Sequence, residues 1–198
     1  MAALEGAQGD LLEAAAQTTS CFRQRGKLLI FGNGGSAAQA QHLAAEFVGR
    51  LTRKRAALPA IALSADGVMV TSLANDFGFA SVFARQIEAI AKQGDVAIVI
   101  STSGASPNAI EGVVAARRLG LVSVGLIGKP HSQLHGLVDV PIVTPGRTPA
   151  RVQELQLIAC HLLCEMVEDA LFPHDPHDDE HVEGRNPVYP DLLRARGG

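Results

Sequence analysis

The chain has 198 residues, enough for one domain with its own hydrophobic core. Its residues are 47% hydrophobic and 19% charged, which excludes an intrinsically disordered chain, and a net charge of -3 leaves no basic footprint for nucleic acid. No apolar run reaches the length of a membrane span, the start "MAALEGAQGDLLEAAAQ" lacks a signal pattern, and three cysteines suit free thiols, so a cytoplasmic protein without membrane partners is expected.

In chain order, residues 3–25 read as a helix with apolar positions at helical spacing. "KLLIF" (27–31) is a short apolar strand that runs into glycine-rich sequence, and residues 36–50 form the next helix. "LPAIALS" (58–64) is a second strand. Helical pieces at 68–74 and 79–92 follow, interrupted at "NDFG". "DVAIVIS" (95–101) is continuously apolar, as expected of a strand buried on both faces. Residues 107–119 form a helix with proline at its start. "LVSVGLIG" (121–128) and "VDVPIVT" (138–144) are the fourth and fifth strands, and a long helix covers 148–171.

Short apolar strands alternating with helices specify an α/β fold: a doubly wound, five-stranded parallel sheet with long flanking N- and C-terminal helices. Such sheets bind ligands beyond the carboxyl ends of their strands. One domain is expected over 1–172. The remainder, 173–198, is rich in proline, aspartate and histidine, and reads as a polar extension or an arm on a partner subunit. Its His174, His177 and His181 are read as solvated rather than as a metal site.

Two strand ends carry polar loops. In "GNGGSA", Gly32, Gly34 and Gly35 allow backbone shapes closed to other residues, and Ser36 stands at an expected helix cap. Successive N–H groups at a helix start form an anion site. By itself the stretch reads equally as a structural turn. The second loop, "STSGASPNAI", places the hydroxyls of Ser101, Thr102, Ser103 and Ser106 ahead of a proline-led helix. Two such loops at strand ends favour phosphate binding over ordinary turns.

After the first loop, His42 and Glu46 stand four residues apart and share a helix face. The spacing suits a zinc pair, an acid–base pair or a surface contact. The last helix carries Gln153, Gln156 and His161 among apolar neighbours. Cys160 and Cys164 flank His161, but adjacent residues diverge by about 100° around a helix, so both thiols are read as core.

With these residues in hand, the chain resembles the phosphoheptose isomerases, a branch of the sugar-isomerase (SIS) domain proteins. The matching blocks are "GNGGSAAQAQHLAAE", "LANDFGF", "VFARQ", "STSGASPN" and "RVQELQLIACHLL", in order across residues 32–172. The resemblance implies a flavodoxin-like SIS domain, a homotetramer with active sites at subunit interfaces, and one zinc ion per subunit. It implies interconversion of sedoheptulose 7-phosphate and D-glycero-D-manno-heptose 7-phosphate, a first step towards bacterial surface polysaccharide.

Carried over by motif, Asn33, Gly34, Gly35, Ser36, Glu46, Asn75, Asp76, Ser101, Thr102, Ser103, Ser106 and Gln153 contact the sugar phosphate. His42, Glu46, Gln153 and His161 match the zinc ligands, and Glu46 and His161 match the acid–base pair. A zinc-bound carboxylate or imidazole is a weak base, so the two roles compete. Gln153 and His161 are eight residues apart, about 12 Å along a helix. Either the helix start is irregular, or residues of two subunits complete one site. Ala105 stands where the family usually has Asn.

Two rival readings stay open. Some relatives in this superfamily are tetrameric regulators that bind the bacterial replication initiator protein, and they lack the Glu and His that this chain has at 46 and 161. Another sugar phosphate could also be the substrate.

Overall fold

The computed structural model describes residues 2–172, which form five strands and eight α-helices. The helices α1 (Ala2–Glu5) and α2 (Gln8–Arg23) precede β1 (Leu28–Gly32), α3 (Gly35–Val48), β2 (Ala60–Ala62) and α4 (Gly67–Phe77). A 3-10 turn at Phe79–Ser81 leads into α5 (Val82–Ile90), then β3 (Val96–Ser101), α6 (Pro107–Arg118), β4 (Val122–Ile127), α7 (Gln133–Leu137), β5 (Val140–Val143) and α8 (Pro149–Leu171).

All the strand pairs are parallel, in the order β2-β1-β3-β4-β5. The order reverses direction between β1 and β3, which opens a crevice at their carboxyl ends. Alternation within the strands divides the core into two layers. Leu28, Ile30, Val96, Ile98 and Ile100 face α2, α3 and α8 on one side. Leu29, Phe31, Ala97 and Val99 face α5 and α6 on the other. The continuously apolar strands β1 and β3 are buried at every position.

Several boundaries differ from the expectations. The first helix divides at Gly6 and Ala7 into α1 and α2. β2 keeps only three residues, because it is an edge strand paired on one side alone. α4 continues through Asn75 and Asp76 to Phe77, and ends where Gly78 takes φ +83°. α7 was not expected; its five residues are too few for a periodic signal. The extension 173–198, with His174, His177 and His181, lies outside the described residues. Among the described residues, no helix is long and apolar enough to cross a membrane.

Candidate active site

Both polar loops converge on one crevice. Asn33, Ser36, Ser101, Thr102, Ser103 and Ser106 line a single small pocket at the carboxyl ends of β1 and β3. The N-terminus of α3 starts from Gly34, whose φ of +56° belongs to the left-handed region. Ser36 is therefore not the cap: it lies inside the first turn of α3, and its own N–H donates to the Asn33 carbonyl at 3.0 Å. Ser106 is the residue that precedes α6, and Pro107 opens that helix.

The two loops are tied together by a residue that motif reading passed over. Asn108 is almost fully buried. Its amide donates to Asn33 Oδ1 at 2.8 Å, and Asn33 donates back to Asn108 Oδ1 at 2.7 Å. This reciprocal pair spans 75 residues and holds one loop against the other. No local sequence signal marks it, because its burial and its partner are set only by the fold. Ser101 is also buried, and its hydroxyl accepts the N–H of Gly104 at 3.0 Å. Gly104 takes φ +65°, and its N–H closes the serine-rich turn on Ser101.

The backbone comes close at Gly35. A Cβ there would lie 2.3 Å from the Gln153 side-chain nitrogen. Gln153 is held over this glycine by α8, and its backbone carbonyl accepts from the Gln39 side-chain amide at 2.6 Å. Asn75 and Asp76 stay exposed on α4, with the Asn75 amide donating to Asp76 at 2.8 Å, and they do not line the pocket.

The second cluster lies farther along α3. His42 Nε2 is 2.9 Å from His161 Nε2 on α8, and 3.4 Å from Glu46 Oε1. At that separation only one of the two rings can carry an Nε2 proton. Ligand atoms of His42, Glu46 and His161 all lie within 4.8 Å of one another. Burial pulls the His161 imidazole below its ordinary pKa, His42 adds to the effect, and Glu46 opposes it. A neutral ring with a free lone pair is what both metal binding and proton acceptance require.

Two imidazoles and a carboxylate whose ligand atoms lie this close together fit a divalent zinc ion with an open position. Gln153 is elsewhere: Gly35, which it covers, precedes His42 by about 10 Å of helix. α8 is unbroken from Pro149 to Leu171, so an irregular helix start does not bring Gln153 to the cluster. Cys160 and Cys164 are fully buried, with the Cys160 thiol pushed up to about 12 by burial.

The SIS domain family model matches residues 1–128. A phosphoheptose isomerase of Pelobacter propionicus is 48% identical over 82% of this chain and 86% of its own length. The chain belongs to the phosphoheptose isomerase family of SIS-domain proteins. Solved family members share its architecture. The phosphoheptose isomerase of Neisseria gonorrhoeae has a TM-score of 0.76 and 36% identity, over 81% of this chain and 86% of that one. The Francisella tularensis enzyme has a TM-score of 0.78 and 32% identity, over 84% and 87%. The flavodoxin-like fold expected from the phosphoheptose isomerase motifs is therefore the fold of this chain.

Proposed function

We propose that this chain is a ketose–aldose isomerase that interconverts D-sedoheptulose 7-phosphate and D-glycero-D-manno-heptose 7-phosphate through an enediol. The observation that carries the reading is the convergence of His42, Glu46 and His161 in a family member whose adjacent loops offer a hydroxyl-rich anion pocket. The same three residues argue against a purely regulatory protein, since such a protein has no need of an acid–base pair.

In this reading the phosphate is held by Ser36, Ser101, Thr102, Ser103 and Ser106, with N–H groups from the starts of α3 and α6. Asn33, Gly34 and Gly35 shape the floor, Gln153 hydrogen-bonds a sugar hydroxyl above Gly35, and Asn75 and Asp76, which lie outside the pocket of their own subunit, reach the sugar of a second subunit. Glu46 and His161 share the proton transfers. One removes the proton from the carbon beside the carbonyl, and the other delivers a proton to the carbonyl oxygen. In the second half, the first group gives its proton to the former carbonyl carbon while the other takes the hydroxyl proton from the oxygen that becomes the new carbonyl. His42 holds His161 at the required position.

Zinc held by His42, Glu46 and His161 would polarise the carbonyl oxygen and stabilise charge on it. A fourth protein ligand would be Gln153 of a second subunit. A homotetramer with shared sites accounts for that, and for α4, where no residue is buried and Val68 and Phe77 are 79% and 52% exposed. We assign the enzyme to the cytoplasm and to the supply of heptose for surface polysaccharide. Turnover of sedoheptulose 7-phosphate by the purified protein tests the reading.

A further inference from the structure

An ion pair with fully buried side chains lies beyond the His42–Glu46–His161 cluster. Arg55, in the connection from α3 to β2, donates from Nε to Glu168 Oε1 on α8 at 2.8 Å. Glu168 also accepts the N–H groups of Leu51, Thr52 and Arg53 at 3.1, 3.2 and 3.2 Å, and the Thr52 hydroxyl at 3.0 Å. Arg55 directs its remaining nitrogens to the end of α3. Nη2 donates to the Glu46 carbonyl at 2.8 Å, and Nη1 to the Phe47 carbonyl at 2.8 Å.

Those carbonyls belong to the last turn of α3, which has no intrahelical donors left to fill them. A cation there also complements the helix dipole. Arg55 thus caps the helix that carries His42 and Glu46, and Glu168 fastens that cap to the helix that carries His161. Glu168 follows His161 by seven residues, so it lies on the same side of α8, about 10 Å along the axis. The guanidinium fork reaches five acceptors in different directions, the Glu168 carboxylate and the carbonyls of Glu46, Phe47, Gly49 and Ala56, which an ammonium cannot copy.

We propose that Arg55 and Glu168 are positioning residues that set the separation of Glu46 from His161 for proton transfer. The proposal rests on the isomerase reading above. Neither residue contacts the anion pocket, so their loss acts on the chemical step and leaves phosphate binding intact.

The test compares Arg55→Lys, Glu168→Gln and Thr52→Val with the wild type, by kcat, KM and thermal unfolding. Asp95→Asn serves as a control: Asp95 is buried and pairs with Lys27 at the opposite end of the sheet. The expected result is a kcat about ten- to a hundredfold lower in folded Arg55→Lys and Glu168→Gln, with KM within about threefold. Thr52→Val, which deletes only one hydroxyl donor and retains the fold, lowers kcat about threefold. Asp95→Asn loses stability and keeps its kcat.

Wild-type kcat in the folded variants overturns the proposal. So does an equal loss of kcat in Asp95→Asn, which would mark general loosening. If Arg55→Lys and Glu168→Gln do not fold, Thr52→Val decides alone. Absence of turnover in the wild type would instead contradict the isomerase reading.

Discussion

His42 and His161, 119 residues apart in the chain, meet with their ring nitrogens 2.9 Å from one another. Two imidazoles that close in a partly buried setting cannot both be protonated, and Glu46 stands 3.4 Å from His42 on the same side. A divalent cation would resolve the crowding by taking a lone pair from each of the three side chains. The wild type is expected to bind a single zinc ion per subunit. His42→Ala or His161→Gln should weaken the affinity at least about tenfold. Equilibrium dialysis with metal analysis checks this, and unchanged affinity in both variants would contradict the assignment of the cluster.

The Asn33–Asn108 pair predicts a stability effect coupled to substrate binding. Asn108→Ala leaves the Asn33 amide without its partner and opens the two loops. The cost is about 1–3 kcal/mol, with a raised KM for the sugar phosphate. Chemical denaturation and steady-state kinetics on the same preparation measure both. Wild-type values for the two would show that the amides do not hold the pocket closed.

Gly35 predicts a separation of binding from folding. A Cβ at this position meets the far end of the Gln153 side chain, which can move aside. Gly35→Ala should therefore unfold within a few degrees of the wild type yet raise KM by about tenfold, because the Gln153 side chain is displaced from its place over Gly35. A wild-type KM in a folded Gly35→Ala protein would remove Gln153 from the substrate contacts.

Glu168 predicts acid sensitivity. Burial pushes its pKa up, but the N–H groups of Leu51 and Thr52, with Arg55 and the Thr52 hydroxyl, outweigh burial and hold it below the ordinary carboxylate value. A carboxyl with a depressed folded pKa adds stability above its unfolded value of about 4.3 and loses it as pH falls through the folded value. The Tm gap between wild type and Glu168→Gln should be widest near neutral pH and should narrow below about pH 4. Parallel curves from pH 7 to pH 3 would show that Glu168 is not ionised in the fold.

Much of this architecture is legible in the sequence, for physical reasons that differ between elements. β1 and β3 are recognisable because strands buried on both faces are apolar along their length, and Asp95, Ser101 and the Gly32 turn mark their ends. The anion pocket is legible because glycine and hydroxyl residues cluster at strand ends. The His42–Glu46 pair is local and follows from helix spacing. The reading fails where a partner is distant in the chain. Nothing local marks Asn108 as the mate of Asn33. Arg55 and Glu168 each lie in a charge-rich stretch that resembles solvated surface, and only the fold brings them together across 113 residues. Likewise the location of Gln153 over Gly35, away from His161, depends on how α8 crosses α3.

The most direct measurement of the central claim is the turnover of sedoheptulose 7-phosphate by the wild type, with Glu46→Gln and His161→Gln assayed beside it. The account predicts turnover by the wild type and a loss of about a hundredfold or more in kcat for each folded variant. No turnover by the wild type, with or without added zinc, would contradict it.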